Sequence, residues 1–511
     1  MTAEGAQLSG PDFTQGIDAA QFADGAMLLG YANGEAVLVA RRGGEFFAIG
    51  AVCTHYNGPL AEGLLVDDTV RCPWHHACFS LRTGEALRAP ALNPVACWQV
   101  EQSGGRIFVR EKAKKQPAEK RAATSPTPRA IVIVGGGAAG NAAAEMLRRE
   151  GFGGTITMLS ADDAVPYDRP NLSKDYLAGK APEDWIPLRS ADFYKKKDIS
   201  VRLDVSVASI DANGRAVAMA DGSRVAFDAL LVATGARVVR LDVPGSDLPH
   251  VHYLRTLDDS NALMAAAERA QRVVVIGASF IGLETAAALR ERGLEVHVVG
   301  PQARPLEHVL GPELGDMVKT IHEQHGVIFH FGTSATAIDR EAVTLKSGER
   351  IAADLVVAGI GVRPETGLAE QAGLAVDNGV LVDAYLQTSA PGIFAAGDIA
   401  RWPDPHTGKS IRVEHWVVAE RQGQTAARNM LGLKEPFDAV PFFWSQHYDL
   451  QINYVGHAER WERIAIDGKP ADRNCEVSYF EGGRKVAVAT VSRDLDSLRA
   501  EVELECSPAN A

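Results

Sequence analysis

Short apolar runs, partly alternating with polar residues, open the chain over 36–40 (Ala-Val-Leu-Val-Ala), 46–49 (Phe-Phe-Ala-Ile), 95–100 (Val-Ala-Cys-Trp-Gln-Val) and 106–109 (Arg-Ile-Phe-Val). Arg42-Gly43-Gly44 and Ser103-Gly104-Gly105 punctuate them as turns. The pattern predicts a small all-β domain over 8–110. Periodicity then lapses over 111–128, where Lys112, Lys114, Lys115, Lys120 and Arg121 lead into Ser125-Pro126-Thr127-Pro128; this predicts a flexible linker. At 130–134 (Ala-Ile-Val-Ile-Val) a fully apolar run predicts a buried parallel strand, followed by a helical stretch to Arg149 and a second strand over 155–159. The same succession recurs at 272–276 and 294–299. Apolar alternation returns at 450–455 and 485–489, predicting a C-terminal α+β domain.

The fold class is therefore multidomain: a small all-β domain, two α/β Rossmann-like domains and a C-terminal α+β domain. A length of 511 residues accommodates this, and 46% hydrophobic with 23% charged residues is a globular composition. The net charge of −13 argues against nucleic-acid or anionic-membrane binding. No uncharged apolar run reaches transmembrane length, and residues 1–6 show no basic or apolar leader, so a cytoplasmic protein is expected. Six cysteines do not make a disulfide scaffold; Cys78, Cys97, Cys475 and Cys506 are expected to be reduced or buried.

The remaining two cysteines carry chemistry. Cys53-Thr54-His55 is answered after sixteen residues by Cys72-Pro73-Trp74-His75. Two thiolates for one iron and two imidazoles for the other are the ligand set of a Rieske [2Fe–2S] centre. The competing readings are a zinc site, or reduced cysteines beside unrelated histidines. The Rieske proteins of quinol-oxidising complexes, which this stretch resembles, add a disulfide between the two loops. Gly58 and Trp74 occupy those positions here. Ala77 and Phe79 stand where those relatives place hydroxyls near the cluster sulfurs. Fewer donors to sulfur imply a lower, ferredoxin-like potential. His76, where most relatives carry Gly, is either a third ligand candidate or a solvated loop residue, and the second is expected.

Two glycine fingerprints follow the predicted strands. The first, Gly135-Gly136-Gly137-Ala138-Ala139-Gly140, has the full strand–turn–helix context in which backbone approaches a pyrophosphate at a helix N-terminus. An acid should end the next strand to bind a ribose. Ala161 holds that position, leaving Asp162 or Asp163 as substitutes. The second fingerprint, Gly277-Ala278-Ser279-Phe280-Ile281-Gly282, replaces its middle glycine with Ser279. The following strand ends at Gly300 with neither acid nor Arg, so NADH is favoured and NADPH stays open. The stretches 230–236, containing Ala233-Thr234-Gly235, and 392–398, ending in Gly397-Asp398, look like strand-to-loop returns of two-dinucleotide flavoproteins.

With 166–174 (Pro-Tyr-Asp-Arg-Pro-Asn-Leu-Ser-Lys), 277–284, Gly397-Asp398, Glu414-His415-Trp416 and 443–446 (Phe-Trp-Ser-Gln), the chain resembles the apoptosis-inducing-factor-like, ferredoxin-reductase-like branch of the pyridine nucleotide-disulfide oxidoreductases, in the form with an N-terminal Rieske domain. The resemblance implies FAD-binding segments at 129–247 and 375–432, an NAD(P)-binding segment at 248–374 and a reductase-type segment at 433–511. It places FAD against Arg169, Lys174, Val207, Arg255 and Asp398. It puts Lys174 near flavin N5 and pairs it with Glu284, sets Trp416 and Trp444 beside the flavin or nicotinamide ring, and adds Gly361, Glu414 and His415 to the cofactor contacts. No cysteine lies between Cys97 and Cys475, so no redox disulfide adjoins the flavin. The implied function is electron transfer from NAD(P)H through FAD and the [2Fe–2S] cluster to a protein acceptor such as a ferredoxin, a cytochrome P450 or an oxygenase component. Electron flow toward NAD⁺ and a redox-sensing, signalling role are the alternatives.

Overall fold

The structure is a computed structural model that describes residues 9–114 and 128–507. Its chain forms two units. One joins the N-terminal residues to Arg493–Glu503, and the other holds the rest from Ala122 onward. Most of the stretch read as a linker lies outside the described residues, and strand Arg106–Lys112 extends into its first two positions.

In the first unit a six-stranded antiparallel sheet runs in the order Ile17–Asp18, Arg106–Lys112, Cys97–Ser103, Glu45–Gly50, Glu35–Arg42, Met27–Ala32. Strand Glu35–Arg42 is buried on both faces. Val37 and Val39 pack with Trp98 and Ile107, while Leu38 and Ala40 pack with Ile49, Leu60 and Phe79. This is why its sequence is a continuous apolar run rather than a strict alternation. A four-stranded antiparallel sheet follows: Leu64–Val66, Thr69–Arg71, Cys78–Ser80, Ala86–Arg88. The second cluster loop is the connection between its middle two strands, and Cys53 and Cys72 belong to the same apolar core as Leu38 and Phe79.

The second unit contains two parallel five-stranded sheets. Ala130–Val134 lies at the centre of one, between Thr155–Leu159 and Ala229–Val232, with Ile199–Arg202 and Ile393–Ala395 outside. Arg272–Ile276 is the centre of the other, between Leu355–Ala358 and Glu295–Gly300. Each sheet is accompanied by a three-stranded antiparallel meander, Val207–Asp211 to Arg224–Ala226 and Ala335–Ile338 to Arg350–Ala352. Helix Ala138–Arg149 is buried along most of its length because it packs on helix Trp416–Met430. Gly423 permits that approach, since a Cβ there would collide with the Ala139 carbonyl oxygen. Phe442–His447 edges a five-stranded antiparallel sheet near the C-terminus. The last helix, Asp494–Glu505, ends the segment that sequence reading assigns to the C-terminal domain, yet Arg493–Glu503 packs with the first unit.

Candidate functional site

Two loops of equivalent backbone form the candidate iron site. In the first, the Cys53 N–H donates to the Gly58 carbonyl (2.8 Å) and the Asn57 N–H to the Cys53 carbonyl (3.1 Å). In the second, the Cys72 N–H donates to the Ala77 carbonyl (2.8 Å) and the His76 N–H to the Cys72 carbonyl (3.1 Å). The fifth residue of each loop is left-handed, Asn57 at φ 63° and His76 at φ 60°. Trp74 covers Gly58, where a Cβ would collide with Cys72 Sγ, and all six cysteines are free. Of the other four, Cys78 and Cys475 are buried, Cys97 is half-buried and Cys506 is exposed.

The side chains of these loops fit the expected cluster. Nδ1 of His55 and Nδ1 of His75 stand 3.2 Å apart with perpendicular rings. That span suits two metal–nitrogen bonds of about 2.1 Å on one roughly tetrahedral ion. Burial pushes His55 down to about 3, which keeps its imidazole neutral and able to ligate. The thiols are hydrogen-bonded to one another: that bond and burial push Cys53 up, and the bond holds Cys72 down. Among the described residues no group of three or more His, Cys, Asp or Glu is placed to hold a single metal ion. His76 is not a solvated loop residue. It is fully buried, with Nε2 3.1 Å from Ser497 Oγ and Nδ1 3.2 Å from Glu501.

In the second unit the first fingerprint makes a cradle for an anion. Gly135 turns at φ 116°, and Gly140 is required because a Cβ there would collide with the Gly135 carbonyl. Gly137 caps helix Ala138–Arg149 without a side-chain acceptor and the first turn holds no acid, so the amides of Ala138, Ala139 and Gly140 remain for a ligand. A Cβ on Gly137 would meet only Arg169 Nη2, at 4.0 Å; open space with a guanidinium beyond it suits a pyrophosphate. Gly397 lies against Ala139 and donates to Gln422 Oε1 at 2.8 Å. Asp398 pairs with Arg255 at 2.9 Å, and the Arg255 carbonyl accepts from Arg169. Ala233 is tied to Val134, Thr234 Oγ1 donates to the Glu365 carbonyl at 2.9 Å, and Arg255 Nη2 faces Gly235. Glu414 pairs with Arg412, which also donates to the Asp398 carbonyl; burial raises Glu414 and pushes neighbouring His415 to about 3. Val207 begins the meander, while Asp162 is engaged by Tyr167 Oη at 2.6 Å. Ala161 and Asp163 are exposed.

Lys174 and Glu284 form a nearly buried ion pair at 2.7 Å between the two dinucleotide folds. Sequence reasoning missed its supports: Ser173 Oγ donates to the same Glu284 oxygen (2.6 Å) and Ser445 Oγ to the other (2.7 Å). Ser445 stands in the 443–446 stretch, one residue after Trp444, on strand Phe442–His447; that adjacency was the available signal. Trp416 opens helix Trp416–Met430 and bonds Glu420, whose carboxyl burial holds well above its usual range. At the second fingerprint Gly277 turns at φ 113° and Gly361 at φ 106°. Ser279 caps its own helix, accepting from the Gly282 N–H (3.2 Å) and donating to the Gly359 carbonyl (2.8 Å). Phe280 packs edge-on to Phe443 and Ile281 is exposed.

An iron–sulfur fold joined in one chain to two dinucleotide folds defines a flavin- and nicotinamide-dependent electron-transfer protein. The chain belongs to the pyridine nucleotide-disulphide oxidoreductase family, which it matches over residues 129–423, with a Rieske [2Fe-2S] domain over 15–99 and a reductase C-terminal domain over 442–504. It is similar to apoptosis-inducing factor 3 of Homo sapiens, 33% identical over 476 residues that cover 90% of this chain and 78% of that one. It is also similar to rhodocoxin reductase of Rhodococcus erythropolis, 37% identical over 363 residues covering 70% and 85%. The reductase fold superposes on the covalent putidaredoxin reductase–putidaredoxin complex with a TM-score of 0.72 at 34% identity, over 75% of this chain and 94% of that one. The protein is an FAD-dependent NAD(P)H oxidoreductase with a Rieske [2Fe–2S] domain, and it transfers electrons from NAD(P)H through FAD. Among the described residues no helix is long and apolar enough to cross a membrane.

Proposed function

We propose that Cys53, His55, Cys72 and His75 hold the cluster and that the chain delivers single electrons from NADH to a separate protein, a ferredoxin or an oxygenase component. The observation that carries this is the pairing of the two imidazoles with each other and of the two thiols with each other across two like loops, in a chain that also holds a pair of dinucleotide folds. When bound, the flavin accepts a hydride and releases single electrons, which the cluster carries one at a time.

The protein's own groups hold and orient. Gly135, Gly137 and the amides of Ala138, Ala139 and Gly140 bind the FAD pyrophosphate, with Arg169 as counter-charge. Asp398, oriented by Arg255, takes the ribityl chain. Lys174 would hold its ammonium beside the bound flavin, where a positive charge would favour the reduced state. Glu284, with Ser173, Ser445 and the Pro170 carbonyl, fixes that ammonium. Gly277 and Gly282 admit NADH, and Trp416 and Trp444 cover the rings against water.

The test is an anaerobic NADH titration of the purified holoprotein, with flavin absorbance and cluster EPR followed together. Flavin bleaching with a Rieske-type signal is expected. A bleached flavin beside a cluster that stays oxidised would overturn the internal transfer. A reduced flavin that persists for hours before artificial acceptors would favour a sensing role.

A further inference from the structure

The second cluster loop is braced by a helix that lies more than 400 residues away in sequence. Glu501 Oε2 accepts from Arg71 Nη1 at 2.9 Å and meets His76 Nδ1 at 3.2 Å. Ser497, one turn earlier on helix Asp494–Glu505, reaches His76 Nε2 through its hydroxyl at 3.1 Å. Arg71 immediately precedes Cys72 and His76 immediately follows His75. One carboxylate therefore grips the chain on both sides of the ligand pair.

Burial makes this grip a strong one. Arg71 is 4% exposed, and His76, Ser497 and Glu501 are 0% exposed. An arginine–carboxylate pair removed from water is far less screened than a surface pair, and removing one partner leaves the other charge uncompensated. His76 stands in the left-handed conformation, which an L side chain adopts at a cost, directly after His75. The equivalent position in the first loop is Asn57, a residue type that enters this region more readily. The C-terminal helix thus supplies buried polar contacts to the residues on either side of the Cys72–His75 pair.

We propose that Glu501, assisted by Ser497, is a positioning residue for the Rieske cluster: through Arg71 and His76 it sets the orientation of the Cys72–His75 loop and the charge beside it, and thereby the cluster's electronic structure and potential. The inference rests on Cys72 and His75 being ligands. It gives the last helix of the reductase C-terminal domain a role in the iron–sulfur unit. Glu501 holds ligands in place much as outer partners hold the histidines of other metal sites.

The experiment compares the full-length holoprotein with Glu501→Gln, Ser497→Ala and, as a control on the same helix, Arg499→Ala, which is exposed and paired with Asp496. EPR g-values and the cluster midpoint potential are read by mediator titration, and flavin bleaching by NADH serves as an internal check. Glu501→Gln is expected to shift the g-values and to raise the potential, because loss of the Glu501 negative charge makes the surroundings of the loop more positive and so favours the reduced, more negative cluster. Ser497→Ala should shift the g-values with little change in potential, and Arg499→Ala should match the wild type. If Glu501→Gln keeps its cluster with unaltered g-values and potential, the brace is mere packing and the proposal fails. If Glu501→Gln loses the cluster, Ser497→Ala decides: a spectrum identical to wild type overturns the proposal. Absence of a Rieske-type signal in the wild type would instead overturn the ligand assignment.

Discussion

Single residues carry the largest electrostatic stakes. Lys174 and Glu284 have side chains only 10% and 2% exposed, so removing the ammonium leaves a carboxylate buried with two hydroxyl donors and no cation. Lys174→Gln should cost roughly 3 kcal/mol, read as a fall in the urea midpoint of the FAD-saturated protein. Asp168 offers a pH test. Burial raises its carboxyl to about 7 against an ordinary 3.8, with Lys174 pulling the other way. Between those values the folded state holds a proton that the unfolded state has lost. Stability from this group is therefore greatest below about pH 4 and falls as pH rises through 7, by on the order of 4 kcal/mol in all. Asp168→Asn should flatten that part of the stability–pH curve, and unfolding at pH 5 and pH 8 would show it. The two Cys-His pairs stand out in the sequence because their spacing is local. His76 does not, because nothing in 72–78 shows that Ser497 and Glu501 enclose it.

At the scale of elements, legibility followed burial pattern. The strands around both fingerprints fell where continuous apolar runs placed them, because parallel strands covered on both faces need apolar residues throughout. The antiparallel meanders escaped notice, since three- to five-residue strands such as Val207–Asp211 and Arg224–Ala226 carry too few positions for a period to emerge. Helix Ala138–Arg149 depends on glycine in its neighbour. Gly423→Ala would force the two helices apart at the Ala139 carbonyl, costing about 1–3 kcal/mol and lowering FAD occupancy after gel filtration. Ser279 makes the opposite kind of prediction. Its hydroxyl occupies the Gly282 amide that a dinucleotide phosphate would use. Ser279→Gly should cost only a few tenths of a kcal/mol as a cap. It should also lower KM for NADH, measured with a dye acceptor; an unchanged KM would place the pyrophosphate elsewhere.

Across the whole molecule the order of domains was written in the sequence, but the destination of the final helix was not. Leu498, Ala500 and Glu501 show that a helical face is buried, yet a burial pattern does not name the surface that covers it. What the complete chain can be asked is how many electrons it holds. A flavin takes two and a [2Fe–2S] cluster one, so full reduction should consume about 1.5 equivalents of NADH per chain. Cys72→Ser removes one of the two proposed thiolate ligands and should leave a flavoprotein without a cluster, for which the endpoint falls to about 1 equivalent. The flavin spectrum should be retained, because Cys72 lies in the other unit. Anaerobic titration of both proteins to constant absorbance measures the difference. Equal endpoints would mean that NADH cannot reduce the cluster through the flavin. Endpoints separated by half an equivalent would count the cluster as the last internal carrier, leaving the external acceptor as the next step of the chain.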